Sequence, residues 1–192
     1  MGKINRDYYL NPDVVFLAKN LIGKVLLTRF NGKLTSGIIT ETEAYAGITD
    51  KASHAYGGKR TRRTEVMFAE GGMSYVYLCY GIHHLFNIVT NQKNTPHAVL
   101  IRGIKPLKGI ETILQRRNQK ILQQNTSSGP GTVSQALGIR TMHSGIDLNK
   151  GVIWLEDDNI KIPEENIVCG PRIGVEYAEE DAALPYRFIT EM

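Results

Sequence analysis

Apolar and polar positions along the chain change period several times, and each change marks an element. Asn11-Pro12-Asp13 offers a capping side chain, a proline for a first helical position and an acid for a first turn. Val14, Val15, Leu17, Ala18, Leu21 and Ile22 then form a wide apolar helical face that ends at Gly23. Lys24 to Phe30 and Lys33 to Thr42 read as strands joined by Asn31-Gly32, the strongest short hairpin signal. Met73 to Tyr80 is β-prone throughout, breaks at Gly81 and resumes at Leu85 to Thr90, a second hairpin-like element. Tyr75 and Tyr77 share one side of that strand, and Tyr80 lies beside the turn. His97 to Ile104 is a further strand, apolar except for Arg102, whose burial would demand a partner.

Gly109 to Gln124 is expected to be an amphipathic helix, with Ile110, Ile113, Leu114, Ile121 and Leu122 inward and Arg116, Arg117 and Lys120 in solvent. A short helix near Val133 to Leu137 follows, then strands near Val152 to Leu155, Ile167 to Val175 and Tyr186 to Thr190. Strands come in runs and do not alternate regularly with helices. That predicts an α+β fold with an antiparallel sheet. With 192 residues and no repeat, low-complexity tract or linker, one domain over 1–192 is expected.

No apolar run of membrane-spanning length occurs, and the first six residues lack the apolar centre of a signal peptide, so a soluble, intracellular protein is expected. Cys79 and Cys169 have no metal-ligand spacing and read as reduced, partly buried thiols, with neither disulfide nor zinc. The net charge of +4 suits a polyanion without requiring one. Its distribution says more, because Lys59, Arg60, Arg62 and Arg63 cluster while the acids collect late in the chain.

That basic run follows Ile-Thr-Glu-Thr-Glu-Ala-Tyr at 39–45 and His54, which together supply acid, aromatic and base in one stretch. In an extended segment Glu41, Glu43 and Tyr45 share a face. From the residues alone, Glu43 is as well read as a polar strand edge as a catalytic acid. His54, Tyr75, Tyr77 and Tyr80 are readable as packing, and the basic run as a solvated loop. A divalent-metal nuclease site from Glu41, Glu43, Asp50 and His54 is a weaker option, since it leaves the aromatic surplus without a use.

The ordered blocks Glu41-Thr-Glu-Ala-Tyr45, Ser53-His54-Ala55, Met67-Phe68, Tyr75-Val-Tyr77 with Tyr80-Gly81, Asn87, Val99-Leu-Ile-Arg102, Gly129-Pro-Gly131 and Arg172-Ile-Gly-Val175 closely resemble the alkyladenine (3-methyladenine) DNA glycosylase family of mammalian type. The resemblance covers essentially the whole chain. It implies a single domain with a curved antiparallel sheet, flanking helices and a protruding hairpin for insertion into DNA. The implied activity is excision of 3-methyladenine, 7-methylguanine, hypoxanthine or ethenoadenine from duplex DNA, leaving an abasic site. A non-catalytic binder of damaged or single-stranded nucleic acid is the alternative from another class.

By this resemblance Glu43 is the base that activates a water, Arg102 helps hold that water, and the carbonyl near Ile173 contacts it. Tyr45, His54 and Tyr77 receive the extruded base, Asn87 lies on the pocket floor, and Tyr80 enters the duplex. Lys59, Thr61, Arg63 and Ile82 fall in segments that contact DNA. No metal or other cofactor is implied, no membrane, and a monomer is expected, cytoplasmic with the nucleoid in a bacterium or nuclear in a eukaryote. Thr64 stands where the family usually has Asn and Ile82 where some relatives have Met, while His83 and His84 receive no role.

Overall fold

In the computed structural model residues 2–191 are described; Met1 and Met192, the ends of the expected domain, lie outside the described residues. The strands are β1 (Gly2–Lys3), β2 (Val25–Phe30), β3 (Lys33–Tyr45), β4 (Ser74–Cys79), β5 (His83–Thr90), β6 (His97–Lys108), β7 (Ile153–Asp157), β8 (Val168–Gly170) and β9 (Arg187–Ile189). The α-helices are α1 (Arg6–Tyr9), α2 (Val14–Asn20), α3 (Ile110–Arg117) and α4 (Pro130–Leu137), with short 3-10 turns between them. One sheet runs in the order β1-β7-β2-β3-β6-β5-β4, and β9 joins β3 to β8. Every pairing in it is antiparallel, so the fold is α+β in one domain.

Strand β3 is long enough to serve two neighbours in succession on one edge, β2 at Lys33 to Ile38 and β9 at Glu41 to Glu43, while β6 runs along the other. Asn31 and Gly32, both at positive φ, close the β2–β3 hairpin in two residues, as their sequence predicts.

Register irregularities decide what the sheet presents. Ile39 and Ala44 both belong to the main core although they have opposite parity along β3. The strand must therefore change phase between them, and register shifts against β6 fall on either side of Glu41. Strand β6 matches this, since Ile101 and Ile104 both face the main core while Arg102 has no Cα partner in the ladder. A bulge with this effect turns following side chains to the other face. Beyond it, Thr42 and Ala44 face α2, where the Thr42 hydroxyl donates to the Ala18 carbonyl at 2.8 Å. Glu41, Glu43 and Tyr45 are left for the opposite face.

Several expectations need correction. Asp13, not Asn11, caps α2, its Oδ1 accepting from the Phe16 N–H at 2.9 Å, while Asn11 closes a turn ahead of it. The expected helix over 109–124 ends at Arg117, because Asn118 adopts a left-handed conformation and caps it. Gln119 and Gln123 then hydrogen-bond around Thr126, which leaves Ile121 and Leu122 exposed. Arg116 and Arg117 are half-buried ties and not solvated charges. Arg116 donates to the Thr35 hydroxyl and the Ala136 carbonyl, and Arg117 to the Thr126 carbonyl. Both cysteines are free thiols, but Cys169 is exposed and only Cys79 is partly buried. Among the described residues, no helix is long and apolar enough to cross a membrane.

Candidate active site

The face turned away from the main core lines a cavity of about 660 Å³. Strand β3 delivers Glu43 and Tyr45, β4 delivers Tyr77, and β5 delivers Asn87. Strand β6 delivers Arg102, the loop after β3 His54 and Arg63, and the loop after β8 Ile173, with Tyr80 at the mouth. These nine candidate residues therefore converge. The other three, Lys59, Thr61 and Ile82, are exposed and lie outside the lining.

Glu43 is fully buried, and each of its carboxylate oxygens is held. Oε1 accepts from the Ile173 N–H at 2.8 Å and lies 3.4 Å from Arg102 Nε, while Oε2 accepts from the Tyr45 hydroxyl at 2.8 Å. Ile173 thus meets the acid through its N–H. Burial raises the Glu43 pKa above the ordinary carboxylate value, against the pull of Arg102 and the two hydrogen bonds, and nearby Glu41 adds to the rise. A carboxylate so placed is poised to take a proton.

Arg102 is fixed through Nε, which donates to Glu41 Oε1 at 3.1 Å. Its terminal nitrogens form no protein hydrogen bond among the described residues, and the side chain borders the cavity. The partner expected for this arginine is a pair of glutamates.

The aromatic rings meet in one cluster. His54 packs edge-on to Tyr77 with centroids 4.6 Å apart, and Tyr75 lies 5.5 Å from Tyr77. Arg63 sits over the Tyr77 ring at 4.9 Å and donates to His54 Nε2 at 2.8 Å. His54 Nδ1 lies 2.8 Å from the Tyr75 hydroxyl and 3.2 Å from the same Arg63 nitrogen, so the imidazole is tied to both neighbours. Burial, with Arg63 and Lys59 close by, lowers the His54 pKa to about 4. Asn87 is buried beneath the cluster, its amide N–H groups donating to the Tyr75 and Leu85 carbonyls.

Tyr80 projects from the β4–β5 hairpin turn at φ 50°, 90% exposed, with Ile82 beside it 70% exposed. Two large apolar side chains at a hairpin tip thus bury little of their surface within the fold. Gly129-Pro-Gly131 begins α4 at the cavity wall, where the Gly129 N–H donates to the Arg102 carbonyl at 2.7 Å. A side chain at 131 would collide with His83, its Cβ falling 2.9 Å from the imidazole. His84 Nδ1 accepts from the Thr141 N–H, a structural tie. Thr64 is buried and holds the basic loop, its hydroxyl accepting from the Thr61 N–H at 2.8 Å and donating to the Lys59 carbonyl at 2.9 Å.

The family model described as methylpurine-DNA glycosylase matches residues 8–192. The chain belongs to that family. Membership makes it a DNA glycosylase, a hydrolase of DNA repair. A protein of Chlamydia felis, provisionally named 3-methyladenine DNA glycosylase, is 47% identical over 184 residues, covering 95% of this chain and 93% of its own. Similarly named proteins of Clostridium perfringens and Bacillus cereus are each 44% identical, over 97% and 95% of this chain and 94% and 93% of theirs.

Sequence reasoning missed part of this glycosylase's site. Asp50 and Arg172, both buried, form a bidentate pair at 2.5 and 2.9 Å, and the guanidinium lies over the Tyr45 ring at 4.9 Å. Arg172 stands in the block that contains Ile173, with no local signal of its own, and in the sequence Asp50 is conspicuous only as a possible metal ligand. That engagement removes Asp50 from any metal set, and among the described residues no group of three or more His, Cys, Asp or Glu side chains could hold an ion. Tyr177, whose hydroxyl donates to the Ala52 carbonyl at 3.1 Å, and Arg187 were also missed, because nothing in their local sequence distinguishes them.

Proposed function

We propose that this glycosylase swings damaged purine nucleotides out of duplex DNA and hydrolyses the N-glycosidic bond with a water activated by Glu43, leaving an abasic site. The observation that carries the reading is a fully buried carboxylate, held on both oxygens, at the wall of an aromatic cavity of about 660 Å³. A base within the stack hides its glycosidic bond, so extrusion comes first and costs a few kcal/mol. Stacking on Tyr45, His54 and Tyr77 returns roughly 1–3 kcal/mol per base, and Tyr80 fills the vacated space.

Alkylation at N3 or N7 leaves the purine cationic, which favours stacking on electron-rich rings and improves the leaving group. The protein then needs a base more than an acid. Glu43 takes a proton from water, and its negative charge favours oxocarbenium character on the sugar. Arg102, held at Nε, has its terminal donors left for that water. Candidate lesions are 3-methyladenine, 7-methylguanine, hypoxanthine and ethenoadenine, and the monomer is the acting form.

The test is release of free base from duplexes that each carry one such lesion, for wild type and Glu43→Gln. A general base contributes about 10²–10⁴-fold, so the variant should lose release by that factor and keep binding the damaged duplex. Activity should persist in chelator, with the backbone intact until heat or alkali is applied. Wild-type release rates in Glu43→Gln, or prompt strand scission by pure protein, would overturn the reading.

A further inference from the structure

Glu41 lies on the same strand and face as Glu43, yet nothing in the mechanism above uses it. Its carboxylate is buried and takes two arginines on one oxygen, Arg102 Nε at 3.1 Å from β6 and Arg187 Nη1 at 3.0 Å from β9. Two carboxylates side by side repel, and Arg102 Nε stands between them, 3.4 Å from Glu43 Oε1. One arginine shared by two buried acids would leave a net negative charge. Arg187 supplies the missing positive charge, and its place is set by the ladder, where it is the β9 partner of Glu43. It is anchored further by donation from Nε to the Pro171 carbonyl at 2.9 Å, within the segment that leads to Ile173.

We propose that Glu41 and Arg187 are positioning residues for base excision, fixing Arg102 beside Glu43 and balancing the charge that acts on the Glu43 carboxylate. Glu41 grips Arg102 at Nε, which turns the terminal donors toward the cavity. Arg187 neutralises Glu41, so Arg102 is not drawn wholly to it. Other charged or titratable groups that face Glu43 are Tyr45 on its own strand and Arg172 and Tyr177 from the segment after β8. Across the cavity stand His54, Arg63, Tyr77 and His83. Among the described residues, none of them forms a hydrogen bond or ion pair with Glu41.

The role assigned here rests on Glu43 acting as the base, so two measurements on the full chain are needed. One is the ¹³C titration of the Glu43 side chain in the free protein, assigned with Glu43→Gln. The other is the pH profile of single-turnover base release. Arg187→Gln leaves Glu41 uncompensated and should move the Glu43 titration and the acid limb upward by about half to one pH unit. Glu41→Gln removes a like charge and gives Arg102 to Glu43 alone, so both should move downward by a similar amount. Arg187→Lys keeps the charge and should restore the wild-type limb, even if thermal unfolding shows lower stability.

A merely structural role would lower rates together with stability and leave the limbs in place. Unmoved titrations, or shifts of the same sign in Arg187→Gln and Glu41→Gln, beside an active wild type would overturn this proposal alone. Wild type that releases no base from any damaged duplex would overturn the reading of the reaction, while opposite titration shifts would still uphold the charge balance on Glu43.

Discussion

Replacing Asp50 with Asn should destabilise the protein far more than a surface change, and the size follows from what the carboxylate holds. Its oxygens accept Arg172 Nη1 at 2.5 Å and Nη2 at 2.9 Å, and the N–H groups of Ala46 and Ala52 at 3.0 Å each. Both side chains of the pair are shielded from water, 0% and 1% exposed, so solvent cannot take over when the charge is removed. Breaking one partner of a buried pair costs about 3–5 kcal/mol, because the remaining charge stays buried. The Arg172 guanidinium would keep only the Ala44 and Asp181 carbonyls and one amide oxygen. At about 2.1 cal/mol/K of unfolding entropy per residue, this chain of 192 residues should unfold roughly 7–12 °C lower. Differential scanning calorimetry at pH 7 reads the shift. Asp50→Asn with Arg172→Met, which removes both charges and keeps one oxygen to accept from the Ala46 or Ala52 N–H, should recover part of the loss without recovering base release, since no guanidinium would then back Tyr45. A fall of less than about 3 °C in Asp50→Asn would show that the pair contributes little and that the Ile173 loop is held by other contacts.

Two further outcomes follow from exposure and protonation. Tyr80→Ala should leave thermal stability within about 0.5 kcal/mol, since the ring is 90% exposed, yet slow release from duplex DNA by roughly 5- to 150-fold, the equivalent of 1–3 kcal/mol of stacking. Equal release rates for the two proteins would remove Tyr80 from the extrusion step. His54 has a folded pKa of about 4 against 6.5 unfolded, so its contribution to stability is complete above about 6.5 and is lost as pH falls toward 4. Urea unfolding of wild type and His54→Gln across that window should show a steeper fall for wild type, and parallel curves would contradict a buried, neutral imidazole.

How much the sequence disclosed depended on the range over which each cause acts. The Asn31-Gly32 turn, the strand carrying Glu43 and the hairpin ending at Tyr80 are settled by neighbours within a few residues, and all three stand where the pattern placed them. The helix over 109–124 failed because its apolar spacing continued past a stop set by one left-handed residue, Asn118, and by side-chain bonds closing on Thr126. Arg116 and Arg117 looked like solvent charges because their acceptors, on β3, α4 and the loop before it, lie far along the chain or belong to the backbone.

The site divides along the same line. Glu43, Tyr45, His54 and Tyr77 bear chemistry that is conspicuous in any sequence. Asp50, Arg172 and Arg187 are ordinary charges until the fold brings residues 122 to 146 apart in sequence into contact. The shared face of Glu41, Glu43 and Tyr45 was read from simple alternation, and alternation continued backward would have set Glu41 and Glu43 on the same side as Ile39, in the main core. The phase change around Thr40 prevents that, and the matching irregularity at Arg102 on β6 lets acid and arginine emerge on the same side. A regular ladder would have buried two carboxylates in an apolar core, so the defect in the sheet is what brings Glu41 and Glu43 out on the face that lines the cavity.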